Sequence, residues 1–520
     1  MKSYKAFPFL TLLACLSLCS CYHEFPGSGN GGGGGGGGTT TANVSFVMVA
    51  DTPPATLGLL SFKVVPTAIT LTPSSGTATT FNINNGTGYS FDLARLQSDS
   101  AFLGTVATLP TGTYTSIAVT FLSAQLAFYN GTGASITGLS QTCLTGTVCF
   151  ASFSGPFTST ITTSLAINSN TGLGIDVNLS NLITLTGTAL SLNFTNSVAT
   201  PVVTTFALPR DPNLTTTGQL ELIEDFTGIA TISGTSVTIA PAPSLNRASI
   251  TALSNSSTNY NIDPTNTLCN NSPTSLATCF TSSTGEAASM DAVLNSDGTF
   301  TIQEIEPLLA SPTVDTVEGT VISIPSSTQF DIVITDIIPA ASNSLISSLG
   351  IGVPLTVNLT TAGSGPAFWV DTKGLAVGTP TTNFQVGSDT TAIHMGQTVA
   401  VHVNAFTAAN NSTTPPTPAI ANNVDTITLR WSRFIATVGS NTNVLEFNIT
   451  ALPVYFGFTQ ASVFDVQTFG GTPGGPGVTN LDFPTSGLVA AAPVGIRALY
   501  LQNNTNTQDP VFFAAKVRQH

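Results

Sequence analysis

Charge is what this chain lacks most. Only 7% of its 520 residues are Asp, Glu, Lys or Arg, and cations are the scarcer sign, with 12 Lys and Arg against 26 Asp and Glu. The formal charge of −14 leaves no basic surface to neutralise phosphates. It argues against nucleic acid and against adsorption to anionic lipid headgroups. Histidine is scarce too, and of the four present only His394 and His402 lie away from the chain ends. Neither is accompanied by Asp, Glu or Cys at metal-ligand spacing. A Ser-His-Asp triad would have to use one of these two.

Catalytic signatures are missing as well. There is no G-x-S-x-G elbow, no H-E-x-x-H, no Walker loop and no G-x-G-x-x-G after a strand. The Gly-rich FGGTPGGPG (Phe469 to Gly477) has no following helix or lysine and reads as a loop. Beyond the first twenty residues no stretch reads as a transmembrane helix. No catalytic, cofactor-binding or metal-binding residue is assigned, and the chain reads as a non-enzyme.

What is present begins at the N-terminus. Lys2 and Lys5 precede an uncharged stretch, Ala6 to Ser20, which is shorter than the ~20 apolar residues that span a bilayer and fits a secretory signal. It closes on Leu18-Cys19-Ser20-Cys21. This resembles a bacterial lipobox, with Cys21 as the acylated (palmitate-bearing) cysteine. Cys19 at −2 departs from the usual pattern, and Cys15 is a second candidate with a very short apolar run before it. The polyglycine that follows is a flexible coil. The tether Cys21–Thr41 would hold a folded body about 25 Å from the lipid. Tyr22 at +2, rather than Asp, is by analogy an outer-membrane export signal. Anchoring would rest on the lipid alone, with the body in the periplasm or on the cell surface.

Four further cysteines, Cys143, Cys149, Cys269 and Cys279, read as disulfides in an exported chain. Three connectivities exist. The short loops CLTGTVC and CNNSPTSLATC make Cys143–Cys149 and Cys269–Cys279 the natural pairs.

Hydrophobic residues make up 42% of the chain, and Thr, Ser, Asn and Gly supply most of the polarity. Thr and Val suit pleated surfaces, and Gly, Asn and Pro suit turns. The expected fold is all-β: an N-terminal β-sandwich followed by three tandem small β-barrel or sandwich modules. The expected boundaries are 1–20 for the signal, 21–41 for the tether, 42–209 for the sandwich, and 210–312, 313–431 and 432–520 for the modules.

In the first body, ANVSFVMVADTPP ends a strand at Asp51-Thr52-Pro53-Pro54, where proline cannot donate to a ladder. Phe91-Asp92-Leu93 and Leu109-Pro110-Thr111-Gly112-Thr113-Tyr114 follow. In the latter, Pro110 presets a turn and Tyr114 starts an alternating strand. These motifs resemble an uncharacterised domain family of bacterial lipoproteins, over roughly Ala42 to Phe121. The resemblance implies a β-sandwich surface module and transfers no catalytic residue. Asp51 and Asp92 could form a Ca²⁺ or acid–base pair, but a turn cap and a strand edge account for them.

The second half repeats itself. GIATISGTSVTI (Gly228 to Ile239), GTVISIPSSTQFDI (Gly319 to Ile332) and RFIATVGSNTNVLEFNI (Arg433 to Ile449) each read as a β-hairpin. Each is followed by a Gly-led strand (from Gly285, Gly396 and Gly495) and then by a closing strand (GTFTIQEIE, DTITLRW and PVFFAAKVR). The modules weakly resemble a second uncharacterised exported β-domain. NSDGTFTIQE mimics an EF-hand loop with Gly298 at position 6, but position 1 falls on Val293, so a hairpin turn is the better reading. Trp369 and Trp431 could stack on a sugar if exposed.

These features describe a lipid-anchored cell-envelope protein that binds, adheres or supports structure. Its hydroxyl- and amide-rich composition suits a glycan or another envelope protein as partner. The alternative is an envelope glycoside hydrolase, which needs only two carboxylates. An outer-membrane β-barrel is disfavoured by the glycine tether and by the basic terminus KVRQH.

Overall fold

The computed structural model describes residues 40–54, 57–139, 142–208, 222–241, 246–260, 276–280, 284–307, 315–338, 345–346, 348–410, 418–471, 477–483, 487–502 and 510–519. The fold is all-β.

Two sheets share the first core. One has the order β11-β8-β1-β5, built from β1 (Thr41–Ala50), β5 (Ala101–Pro110), β8 (Thr171–Val177) and β11 (Val203–Ala207). The other has the order β3-β2-β6-β7, built from β2 (Leu57–Pro73), β3 (Thr79–Asn82), β6 (Gly112–Asn130) and β7 (Val148–Ile167), with β4 (Phe91–Asp92) beside β2. A small hairpin, β9 (Ile183–Thr186) and β10 (Ala189–Leu192), forms its own two-stranded sheet and packs Ile183 and Leu190 into the same core. Phe46 and Met48 of β1 and Ile175 of β8 pack in one cluster with Phe62 of β2 and Val119 of β6, which makes the unit a β-sandwich. Pro66 lacks the N–H that a ladder requires, and the β2–β6 register shifts on either side of it. The Leu-Pro-x-Gly-x-Tyr turn closes on itself: the buried Tyr114 hydroxyl donates to Pro110 O at 2.6 Å.

Three closed sheets follow. The first contains β12 (Leu222–Ser233), β13 (Ser236–Ala240), β14 (Ile250–Leu253), β15 (Asn259–Tyr260), β16 (Thr284–Leu294) and β17 (Phe300–Pro307). Its order is β14-β13-β12-β16-β17-β15, and a parallel β14–β17 contact closes it. Further along the chain are β18 (Asp315–Ser326), β19 (Gln329–Ile338), β20 (Pro354–Leu359), β21 (Ala367–Val370), β22 (Thr398–Val403), β23 (Ala405–Thr407), β24 (Ala419–Val424) and β25 (Thr426–Arg430). The last barrel uses β26 (Ser432–Val438), β27 (Glu446–Thr450), β28 (Phe464–Gln467), β29 (Asn480–Asp482), β30 (Pro493–Gln502) and β31 (Pro510–Gln519).

The last barrel repeats the first strand for strand: β28-β27-β26-β30-β31-β29, with β28–β31 parallel. In the middle barrel the final strand is split at Asp425. Its first half, β24, runs parallel to the third strand, β20, and its second half, β25, pairs with β22 and β21. Among the described residues, β23, which pairs antiparallel with β24, is the one strand added to the scheme. In each barrel the first strand pairs with the second and the fifth, and the last strand runs parallel to the third. This is the strand order of an OB-type Greek-key barrel with one extra short strand.

The hairpin starts noted in the sequence fall on β12–β13, β18–β19 and β26–β27, all antiparallel. Gly285 and Gly396 open the fifth strand of their barrels with the same backbone angle, φ +88°, which glycine adopts without steric cost. Asn295–Thr299 forms the β16–β17 turn: Asn295 N–H donates to Thr299 O, and Asp297 Oδ1 accepts from Thr299 N–H. It is a hairpin turn, and Glu304 lies on β17.

The terminus KVRQH is not a basic tail. Lys516 and Arg518 sit in β31 with 2% and 1% of their surface exposed. As evidence against a membrane barrel this segment therefore carries nothing. Among the described residues no helix is long and apolar enough to cross a membrane.

Candidate functional site

The few cations of the sequence come together. Nine Lys and Arg lie among the described residues, and none is exposed. All nine are buried or half-buried; Lys63 opposes Asp92 across β2–β4, and seven of the others form ion pairs.

The centre of this network is Asp225. It occupies a β-bulge in β12, where the register against β16 shifts between Ile223 and Phe226, and its φ is +49°. A bulge re-aims a side chain, and Asp tolerates this left-handed geometry better than most residues. The Asp225 N–H donates to Asp291 Oδ1 at 2.7 Å. Its carboxylate lies 2.6 Å from Lys373 Nζ, 2.7 Å from an Arg433 nitrogen, 2.6 Å from one of Arg497 and 3.7 Å from one of Arg430. The first barrel thus supplies the carboxylate, the middle one supplies Lys373 and Arg430, and the last one supplies Arg433 and Arg497.

The contacts spread outward from there. Lys373 also reaches Asp291 and Glu304, at 3.2 and 3.6 Å. Arg430 pairs with Asp371 and, at 3.2 Å, with Glu318. Arg433 approaches Glu318 at 3.9 Å and Asp99 of the sandwich at 4.0 Å. Arg95 of the sandwich and Arg247 of the first barrel share Asp336, at 2.8 and 3.5 Å. Arg518 pairs with Asp482 and donates to Asp99 O. All four β-bodies contribute.

Burial alone would raise the Asp225 pKa, but Arg497, Lys373, Arg430 and Arg433 hold it well below the usual carboxylate range. Burial pulls Lys373 down, and Asp225, Asp291 and Glu304 more than reverse this. Arg433 moves the other way. Burial and then its neighbours Arg95 and Arg497 lower it, against Asp225 and Asp99. A general acid or base works best with a pKa near the operating pH. Asp225 and Lys373 are shifted away from neutrality, so the arrangement suits locking rather than proton transfer. Buried pairs stabilise little in net terms, but losing one partner strands the other charge.

Beside the network lies a cavity of about 200 Å³ between the sandwich, the middle barrel and the last barrel. Leu57, Leu59, Leu60, Phe434 and Tyr455 form apolar walls, and Gln97, Thr320, Thr335 and Thr398 add polar groups. Arg95, Arg433 and Trp431 also line it.

Of the residues marked in the sequence, Cys21 and Cys269 lie outside the described residues. Cys143 and Cys149 are bonded to each other, with Cα atoms 5.5 Å apart. Cys279 is also disulfide-bonded. Asp92 is buried and accepts from the Phe62 and Ala94 N–H groups, and burial raises its pKa. Asp51 continues the β1 ladder through its N–H to Val177 O. His394 stacks loosely on Tyr500, with ring centroids 6.0 Å apart. His402 Nδ1 lies 3.9 Å from Asp425, a neighbour hidden by a separation of 23 positions along the chain. Among the described residues no group of three or more His, Cys, Asp or Glu could hold a metal ion. Trp431 is 1% exposed and cannot stack on an external sugar, whereas Trp369 is 37% exposed.

The ion network escaped the sequence reading, although a signal for it exists. Arg497 in GIRALYL and Lys516 in VFFAAKVR sit inside apolar strands. A cation placed there must be buried, and a buried cation must be paired.

Comparison with family models, curated proteins and solved structures finds no match for the chain.

Proposed function

We propose that the chain is a lipid-anchored cell-envelope protein whose β-body acts as a binding, adhesion or structural surface element. The observation that carries this reading is the withdrawal of every described cation from the surface. The exposed charges among the described residues are Asp297, Asp425, Glu446 and Asp465, all acidic. What remains outside is largely hydroxyl and amide. Along β7, an edge strand of the sandwich, Ser152, Ser154, Thr158, Thr160, Thr162 and Ser164 are exposed. Such a face offers short-range hydrogen bonds and no cationic attraction for phosphate, which suits a neutral glycan or another envelope protein.

The lipobox-like Cys21 and the glycine tether support anchoring at the outer membrane. The resemblance of the Asp-x-Pro and Leu-Pro-x-Gly-x-Tyr motifs to an uncharacterised lipoprotein domain family supports the same class.

A glycan array probed with the full chain tests the reading. Saturable binding without turnover is expected. Release of sugar would sink the binding reading in favour of a glycoside hydrolase. Anchoring is tested separately: Cys21→Ser should move the protein from the membrane to the soluble fraction and abolish palmitate labelling. Retained labelling would refute Cys21 as the lipid site.

A further inference from the structure

The three barrels present the same outer face to different surroundings. In the middle barrel Arg430 pairs with Asp371, and in the last barrel Arg518 pairs with Asp482. Two residues before each partner, the spacing that keeps one face of a strand, stand Thr428 and Trp369 in the middle barrel and Lys516 and Asn480 in the last. The register agrees: Trp369 opposes Thr428, and Asn480 opposes Lys516. One strand further across, Thr428 opposes Ala400, and Lys516 opposes Arg497. In the last barrel this row is buried, with Lys516 and Arg497 each 2% exposed. In the first barrel Thr227 precedes the hairpin start Gly228 as Glu318 precedes Gly319, and its row, Thr227–Ser289–Glu306, is buried as well. In the middle barrel the row opens: Ala400 and Thr428 are half-buried, and Trp369 at its end is 37% exposed.

A second row widens the opening. Two residues along from Thr428 and Ala400 lie Thr426 and His402, and His402 opposes Thr316. All three are half-buried. Asp425 flanks them, its carboxylate 3.9 Å from His402 Nδ1, with 53% of its side chain and 27% of the histidine's exposed. From Trp369 to Thr316 the face crosses four strands, β21, β25, β22 and β18, about 14 Å at the usual strand spacing. A lone exposed tryptophan needs no explanation, but this one ends a flat and largely polar face. A protein hot spot sits in a desolvated, mostly apolar centre, whereas the neighbours of this indole are hydroxyls, an imidazole and a carboxylate. An anionic ligand would meet Asp425 and no exposed Lys or Arg among the described residues.

We infer that this face binds a neutral oligosaccharide, with one pyranose ring stacked on the Trp369 indole and the adjoining sugars hydrogen-bonded to Thr428, Thr426, His402 and Asp425. A pyranose has the matching double character. The C–H bonds on one side of its ring pack on the electron-rich face of an indole, and its hydroxyls both donate and accept. Ionised Asp425 takes protons from hydroxyls, and the threonines serve either way. The inference rests on the glycan reading above and gives that binding a specific seat in the middle barrel.

The test titrates the full chain calorimetrically with cellohexaose, laminarihexaose, maltohexaose and chitohexaose, and with oligogalacturonate as the acidic control. Saturable binding of at least one neutral probe is expected, with the galacturonate about tenfold weaker or worse. Trp369→Ala should weaken the neutral binding about tenfold or more with the thermal midpoint kept, and Trp369→Tyr, which retains a stacking face, should recover part of it. In the unsubstituted chain the bound probe should shield Trp369 from acrylamide quenching, to which Trp431, 1% exposed, contributes little. If folded Trp369→Ala binds as tightly as the unsubstituted chain, this site is wrong and the glycan reading stands. If neither these probes nor a glycan array shows binding, the glycan reading fails and the site falls with it. Preference for the galacturonate would overturn the neutral ligand.

Discussion

Arg497 and Asp225 are 272 residues apart in sequence and 2.6 Å apart in space. Their contact joins the last barrel to the first, and Lys373, Arg430 and Arg433 converge on the same carboxylate. Asp225→Asn keeps the shape and removes the charge that four cations share. It should cost about 3–5 kcal/mol, the range for stranding a buried charge. Arg497→Met leaves Asp225 three cations and should cost less. Urea unfolding of both variants checks the order, and a larger loss for Arg497→Met would remove Asp225 from the centre of the network.

Acid should attack the same place. The folded-state pKa values of Asp225 and Asp336 are depressed, by Arg497, Lys373, Arg430 and Arg433 in one case and by Arg247 and Arg95 in the other, against burial. Their stabilisation is complete above the unfolded carboxylate value, about 3.9, and is lost as pH falls through the folded values. Asp92 has the opposite sign: burial raises its pKa, so its ionised form costs stability and acid relieves that cost. The urea midpoint should hold near neutrality and drop below about pH 4. In Asp225→Asn the acid limb should flatten, and an unchanged limb would assign the loss to other carboxylates.

Gly285 and Gly396 share φ +88° but not their surroundings. Among the described residues a Cβ at Gly285 would meet nothing within 4 Å, whereas one at Gly396 would lie 2.2 Å from the Phe456 ring. Gly285→Ala should therefore cost about 1–2 kcal/mol, the backbone penalty alone. Gly396→Ala should cost clearly more, because Phe456 packs among Phe434, Tyr500 and Phe512 and has little room to move. Thermal midpoints of the two variants separate the terms, and equal losses would show that Phe456 yields freely.

The Tyr114 hydroxyl bonds Pro110 O across the turn between β5 and β6. Tyr114→Phe keeps the packing of the ring and removes one hydrogen bond, so about 1 kcal/mol should be lost. Denaturant midpoints measure it. A loss near zero would make the tyrosine in Leu-Pro-x-Gly-x-Tyr a packing residue only.

The sheet architecture was legible because its information is local. Alternation along Ser236–Ala240 or Phe464–Gln467 marks a strand within a few residues. The recurring hairpin, Gly-led strand and closing strand gave the three barrels their order. The split of the middle barrel's closing strand at Asp425 was not legible, because β24 and β25 are separated by one residue. The ion network was hidden for a different reason. Its pairs join strands of different barrels, and no periodicity links Asp225 to Arg433 across 208 positions. Net charge, read as a property of the surface, concealed that the cations had gone inside. The cavity needs three bodies to form its wall and has no one-dimensional trace.

The bulge at Asp225 also sets a clock. Chains are made and begin to fold from the N-terminal end, so the first barrel presents its carboxylate long before its partners exist. The arginines that complete it arrive 208 and 272 residues later, the second of them in β30. Until then the carboxylate has only Lys373 and Arg430 of its four cations. The inter-barrel lock therefore closes only after β30 has been made, and a chain truncated before it would lack Arg497.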